Sequence, residues 1–226
     1  MIALIVISFL FSAFAVQLFM RRARRHARRY GADMPQRFHK GHVPRLGGAG
    51  IFIGTGVAWL VAGIGSDPFN VSWPLKSSAL TLLCIAPAVL GGIIEDLTQQ
   101  VSVRYRLSLT IGSALLLCWV LNLGLARVGI PAVDGWLQAM PFAAIVFAAL
   151  AIGGLPHAFN IIDGYNGLAG TVAVLVCLAI SHVALQVGDR QLAAMVICLV
   201  GATLGFLIWN YPRGKIFAGD GGAYVW

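Results

Sequence analysis

Four carboxylates stand where an otherwise apolar chain turns, and their neighbours are the kind that handle phosphate. Glu95 and Asp96 are adjacent in GGIIEDLTQQVSVRYRL (91–107), with Arg104 and Arg106 a short hairpin later. Two neighbouring carboxylates raise each other's proton affinity unless a cation relieves them. A divalent metal or a catalytic base would explain the pair, and so would an Arg–carboxylate contact at the surface. In AFNIIDGYNGLAG (158–170), Asn160, Asp163 and Asn166 recur every three residues. If that turn is helical they share one face and converge their oxygens on a single point. In GKIFAGDGGAY (214–224), glycines place Asp220 at a tight turn. Capping a helix N-terminus accounts for one polar residue at each such turn, but not for three. Hard oxygen ligands beside arginine and lysine favour Mg²⁺ with a phosphorylated substrate over zinc or haem.

A further segment, RFHKGHVPRLGGAGIF (37–52), sets Arg37, Lys40 and Arg45 beside a glycine cluster. Basic side chains next to accessible glycine backbone suit a phosphate group. Topological charge and a close helix contact between small residues are the competing explanation. His157 has two readings, as an interfacial histidine or as a group reaching the same site. His39 and His42 flank Lys40 and could touch phosphate.

The elements that must position these groups are membrane spans. Of 226 residues, 59% are hydrophobic and 11% charged, with a mean hydropathy of +0.85. That leaves too little polar surface for a soluble domain of this size. Apolar segments long enough to cross a bilayer occur at 1–20, 47–65, 75–94, 107–124, 137–157, 167–187 and 191–211, and an eighth begins near Gly221. Without water to satisfy the backbone these are helices. The expected fold is all-α: a polytopic bundle of about seven complete spans, with residues 1–226 forming one transmembrane catalytic domain.

Net charge is +8, and nine of the sixteen basic residues fall between Arg21 and Arg45, directly after the first apolar run. A cleaved signal peptide has basic residues before its apolar run, so the run is read as a retained span with its N-terminus outside. Alternation then places 21–46, 95–106, 158–166 and 212–220 in the cytoplasm. Those segments hold thirteen of the sixteen basic residues, as the positive-inside rule requires. The basic charge therefore reports topology and anionic lipid rather than nucleic acid. Asp67, Asp134 and Asp189 fall one in each outward segment, whereas Glu95, Asp96, Asp163 and Asp220 all lie at cytoplasmic helix ends. No carboxylate sits mid-span and no internal repeat is visible, which argues against a transporter or scaffold subunit. The four cysteines lie inside apolar runs without metal-ligand spacing and are read as small core residues.

Taken in order, HKGHVPRLGGAGI, EDLTQQVSVRYRL, HAFNIIDGYNGLAG and IFAGDGGA resemble the motifs of the polyprenyl-phosphate N-acetylhexosamine-1-phosphate transferases, from about Arg37 onward. Within that superfamily the loops look closer to the O-antigen and common-antigen type than to the peptidoglycan type. The resemblance implies transfer of N-acetylhexosamine-1-phosphate from a UDP-sugar to undecaprenyl phosphate, releasing UMP, at the cytoplasmic face of a bacterial inner membrane. It implies Mg²⁺, with Mn²⁺ as an alternative. Asp220 is the expected metal ligand, helped by Asp96 and Asp163. Asp96, Glu95 and Asp163 are the expected catalytic carboxylates. Lys40, Arg45, Asn160, Asn166, Arg104 and Arg106 are the expected substrate-binding groups. Undecaprenyl phosphate, a UDP-N-acetylhexosamine and membrane lipid are the expected partners, with a homodimer as a further expectation and no nucleic acid. Three residues depart from the family pattern: Glu95 for an Asp, Asn166 for the second Asp of DGxDG, and Ala223 for a Ser after GDxG. The family also has further spans and a later histidine-rich loop, so the chain is expected to be a truncated product of such an enzyme. An inactive fragment is the alternative.

Overall fold

A computed structural model describes residues 1–23, 43–64 and 75–226. Arg37, His39, Lys40 and His42 lie outside the described residues. The order of elements is α1 (Ile2–Ala23), α2 (Gly47–Ile64), α3 (Leu75–Thr98), α4 (Val103–Val120), α5 (Pro131–Ala139), α6 (Pro141–Ile162), α7 (Leu168–Gln186), α8 (Arg190–Asn210) and α9 (Gly219–Ala223). Seven of these, all but α5 and α9, are long and apolar enough to cross a membrane. The protein is an all-α, multi-pass membrane bundle.

Lipid tails are as apolar as leucine, so the helices associate by close packing and hydrogen bonds rather than by burying oil from water. The sequence supplies both. A Cβ at Gly201 would overlap Ser8 Oγ and the Ile5 carbonyl, and one at Gly205 would overlap the Phe9 carbonyl. With glycine there, α1 lies directly along α8. Ser12 Oγ then donates to the Ala202 carbonyl at 2.7 Å, and Trp209 Nε1 to the Ala13 carbonyl at 3.1 Å. Gly54 of α2 approaches the same Ser12, and Trp59 Nε1 of α2 donates to the Met195 carbonyl of α8, so the three helices pack together. All four cysteines are free and buried, as their apolar context predicts.

The boundaries differ from the apolar runs in a consistent way. The expected 95–106 loop is mostly helix: α3 continues through Glu95 and Asp96 to Thr98, and α4 starts at Val103. An apolar run marks where hydrocarbon ends, and a helix can run on into the polar layer. The remaining turn is closed by Glu95 Oε2, which accepts from the Val101 N–H at 2.7 Å, and by Ser102, which N-caps α4. The expected 125–136 loop contains the start of α5, with Pro131 in its first turn and Leu137 buried. The following span starts at Pro141 rather than 137, because a residue before proline is disfavoured in the α region. Near Gly221, where an eighth apolar segment is expected to begin, the five-residue α9 forms.

That short helix positions the site. The segment before it runs beside the start of α2: Phe217 N–H donates to the Pro44 carbonyl, and the Gly47 and Gly48 N–H groups donate to the carbonyls of Phe217 and Ala218, each at 2.9 Å. The last two bonds fill donors that the first turn of a helix leaves unpaired. A Cβ at Gly48 would overlap the backbone of Gly221 and Gly222, and one at Gly92 would lie 2.7 Å from Gly221 N. Glycines on α2 and α3 thus let α9 dock directly between them.

Candidate active site

Five segments meet at one end of the bundle: the residues before α2, the end of α3, the start of α4, the end of α6, and α9. Their common point is the Asp220 carboxylate, 2% exposed. Its Oδ1 accepts from Asn160 Nδ2 at 3.0 Å and faces Arg45 Nη2 at 3.6 Å. Its Oδ2 pairs with Arg106 Nη1 and accepts from the Tyr224 hydroxyl at 3.4 Å. A buried carboxylate is stable only with such compensation, and here two guanidinium groups provide it.

Asp96 is equally buried. Its Oδ1 and Oδ2 accept from the backbone N–H groups of Asp220 and Gly221, each at 2.9 Å, and Arg45 Nε lies 3.5 Å from Oδ1. Arg45 therefore stands between the two carboxylates.

Asp163 terminates α6 as its C-cap. Burial, opposed by Arg45 and reinforced by Asp220, pushes its carboxyl up to about 6. No hydrogen bond to this side chain accompanies those influences. It is the one carboxylate of the three whose oxygens are not already filled by neighbours among the described residues. Burial and the adjacent Asp220 also raise the Tyr224 phenol, which stays a neutral donor. The Tyr224 ring meets His157 edge-on at 5.5 Å, and His157 Nε2 lies 3.1 Å from Thr110 Oγ1. His157 is thus a hydrogen-bonded histidine at the end of α6 that touches the site through the Tyr224 ring.

Other expected residues are placed elsewhere. Glu95 closes the 99–102 turn instead of pairing with Asp96, because adjacent positions on a helix point about 100° apart. Arg104 is exposed on the first turn of α4, while Arg106 points inward. Asn166 does not join Asn160 and Asp163. The helix stops at Ile162, the expected single face is lost, and Asn166 Nδ2 donates to the Pro212 carbonyl at 3.1 Å. That turn is fastened further by Asn210, which the sequence analysis missed. Only 3% exposed, it accepts from the Gly167 N–H at 2.6 Å and donates to the Ile216 carbonyl at 2.9 Å. An asparagine closing the apolar run before YPRGK was the available signal. Tyr224 gave none, since an aromatic in an apolar stretch reads as packing.

The donor set is carboxylate and amide oxygen beside guanidinium, which suits a hard cation held together with phosphates. Among the described residues no three His, Cys, Asp or Glu side chains form a ready ligand group. Asp163, with unfilled oxygens and a raised carboxyl, is where a cation fits best, next to Asp220. Asp96, the third expected ligand, accepts one backbone N–H on each oxygen and keeps a second lone pair on each.

Comparison with known proteins gives the family. A family model described as glycosyl transferase family 4 matches residues 78–226. The chain is 30% identical to a Bacillus subtilis (strain 168) protein named "Probable undecaprenyl-phosphate N-acetylglucosaminyl 1-phosphate transferase", over 97% of this chain and 59% of the relative. It is 33% identical to the phospho-N-acetylmuramoyl-pentapeptide-transferase of Synechococcus sp. (strain JA-3-3Ab), over 84% of this chain and 54% of that protein. A protein of the same name from Moorella thermoacetica is 30% identical over 81% of this chain and 58% of its own length. The chain spans a little under three fifths of the length of these curated relatives. On the match to 78–226, the region that holds Asp96, Arg106, Asn160, Asp163 and Asp220, the chain belongs to glycosyl transferase family 4.

Proposed function

We propose that this protein transfers N-acetylhexosamine-1-phosphate from a UDP-N-acetylhexosamine to undecaprenyl phosphate, releasing UMP and initiating a lipid-linked surface glycan such as an O-antigen. The observation that carries the reading is the buried Asp220, ringed by Arg45, Arg106 and Asn160 and set beside the unfilled Asp163. Phosphoryl transfer asks a protein mainly for positioning and for compensation of charge on phosphate oxygens. The name of the Bacillus subtilis relative carries the same lipid, undecaprenyl phosphate, and an N-acetylhexosamine 1-phosphate as the group transferred.

In the reaction a phosphate oxygen of the lipid attacks the β-phosphorus of the UDP-sugar. The new O–P bond forms as the bond from the β-phosphorus to the bridging oxygen breaks, and the electrons leave with UMP. Arg45 and Arg106 lie where negative charge would otherwise repel both substrates, and Asn160 orients the Asp220 carboxylate. Asp163 and Asp220 are the residues that would hold Mg²⁺, which supplies charge neutralisation at phosphoryl oxygens when bound. The site end of the bundle faces the cytoplasm of a bacterial cell in this reading, the side on which thirteen of sixteen basic residues fall.

The test is UMP release by membranes containing the chain, supplied in turn with UDP-N-acetylglucosamine, UDP-N-acetylgalactosamine and UDP-N-acetylmuramoyl-pentapeptide. Release that requires added undecaprenyl phosphate, and that Asp220→Asn abolishes, is the expected result. Release from none of the three, or release indifferent to the lipid or to Asp220, overturns the reading.

A further inference from the structure

We infer that Asp96 serves the reaction through Asp220, as a positioning residue that docks the Asp220 turn between α2 and α3, and does not itself act on substrate as a base. The inference rests on the proposed transfer reaction for its kinetic test and on geometry for the rest.

The geometry is specific. One carboxylate, 2% exposed, accepts two consecutive backbone N–H groups, one on each oxygen, at 2.9 Å. These N–H groups belong to Asp220 itself and to Gly221, in the first turn of α9. Asp96 therefore fixes the backbone from which the Asp220 side chain projects toward Arg106 and Asn160. The acceptor comes from the last turns of α3, more than a hundred residues away in sequence, so the clasp joins two elements and does not merely cap one.

The surroundings leave no slack. Gly219 adopts φ +70°, and a Cβ there would overlap both Asp96 oxygens and the Arg45 carbonyl. A Cβ at Gly92 would fall within 3 Å of the Asp220 and Gly221 backbone. Arg45 Nε, 3.5 Å from Oδ1, compensates the Asp96 charge. Lone pairs committed to backbone donors in a closed space are poorly placed to take a proton from substrate. Glu95, the neighbouring carboxylate, is spent on the 99–102 turn and cannot substitute.

This assignment orders two variants oppositely to a base. Asp96→Asn keeps the size and one acceptor oxygen but no charge. Asp96→Glu keeps the charge but adds a methylene where Gly219 already lacks room for a Cβ. A positioning role predicts that Asn retains turnover within about 100-fold of wild type, that Glu falls below Asn, and that the acid limb of the pH–rate profile stays in place in Asn. A general base predicts Glu above Asn and loss of the acid limb, and either result overturns the inference. Hydrogen exchange of the purified full chain in detergent supplies a readout that needs no turnover. Amides of the 219–223 peptide should exchange roughly tenfold faster in Asp96→Asn and faster still in Asp96→Ala, with the ends of α7 and α8 unchanged. Exchange within about twofold of wild type in both variants overturns it. If wild type shows no transfer, the exchange result still decides the role of Asp96, and the failure belongs to the functional reading.

Discussion

Replacing Asp163 by Asn should make the protein more stable while removing its activity. The carboxyl is raised from 3.8 to about 6, chiefly by burial. At about 1.4 kcal/mol per unit, a shift of that size sets an upper bound of roughly 3 kcal/mol on the cost of holding the group ionised at neutral pH. Asp163 is partly exposed, so solvent screening reduces the figure, and about 1–2 kcal/mol is expected. The sign follows from linkage. The folded state binds the proton more tightly than the unfolded state, so this group's contribution falls as pH rises from the unfolded value through about 6 and is level above it. Thermal unfolding in detergent, followed by fluorescence-detected size exclusion, should show Asp163→Asn with the higher midpoint at pH 7.5. For a chain of this size the gain is roughly 2–8 °C, and the advantage should shrink at pH 5. Mg²⁺ should raise the midpoint of wild type and leave the variant where it is, since a ligand stabilises only a state that binds it. Equal or lower stability of the variant at pH 7.5, or an advantage that grows in acid, would refute the account of Asp163 as a carboxylate that Arg45 compensates only in part.

Three other outcomes follow from the contacts. Arg106→Ala strips Asp220 of its closest cation, and initial rates should fall by at least ~100-fold; Arg106→Lys should recover only part of this, because an ammonium cannot reproduce the planar guanidinium fork. Asn210→Ala leaves the Gly167 N–H and the Ile216 carbonyl unpaired in a buried place, at a cost of about 2–4 kcal/mol visible as a lower unfolding midpoint, whereas Asn166→Ala loses one exposed bond and should cost under ~1 kcal/mol. Gly48→Ala drives a methyl into the backbone of Gly221 and Gly222 and should abolish both activity and a monodisperse elution peak, while Gly154→Ala, with open space around it, should leave both unchanged.

The seven spans were legible in the sequence because lipid leaves a backbone few alternatives to the helix, and composition alone marks where hydrocarbon is needed. Which carboxylates converge was only partly legible. Asp163 and Asp220 were readable as turn residues followed by apolar helix. Asp96 and Glu95, adjacent and chemically alike, were not separable, because the choice depends on the rotation of α3. That rotation is set by Gly91 packing against Leu109 and by Gly92 packing against α9, contacts no local pattern announces. The three-residue spacing of Asn160, Asp163 and Asn166 misled for a related reason. Spacing acquires a face only where the helix persists, and this one stops at Ile162.

The basic residues show a deeper limit. Arg45 and Arg106 fit the positive-inside rule, and that rule alone would account for them without any site. In the structure both are bound to Asp220, and one of them also to Asp96. The two roles do not compete. An arginine near a helix end costs little at the interface and is already on the side where the basic residues gather. A site needing guanidinium groups can therefore draw on the residues that orient the protein. Arg104, two positions from Arg106 and equally consistent with topology, remains exposed. What separates them is the rotation of about 200° between positions two apart on α4, which brings Arg106 over α9. A substitution pair makes the distinction measurable: Arg104→Gln should leave transfer within about threefold of wild type, and Arg106→Gln should lose it at unchanged membrane insertion. Equal losses would mean that the arginines act as diffuse interfacial charge, and that the pairing with Asp220 does not organise the site.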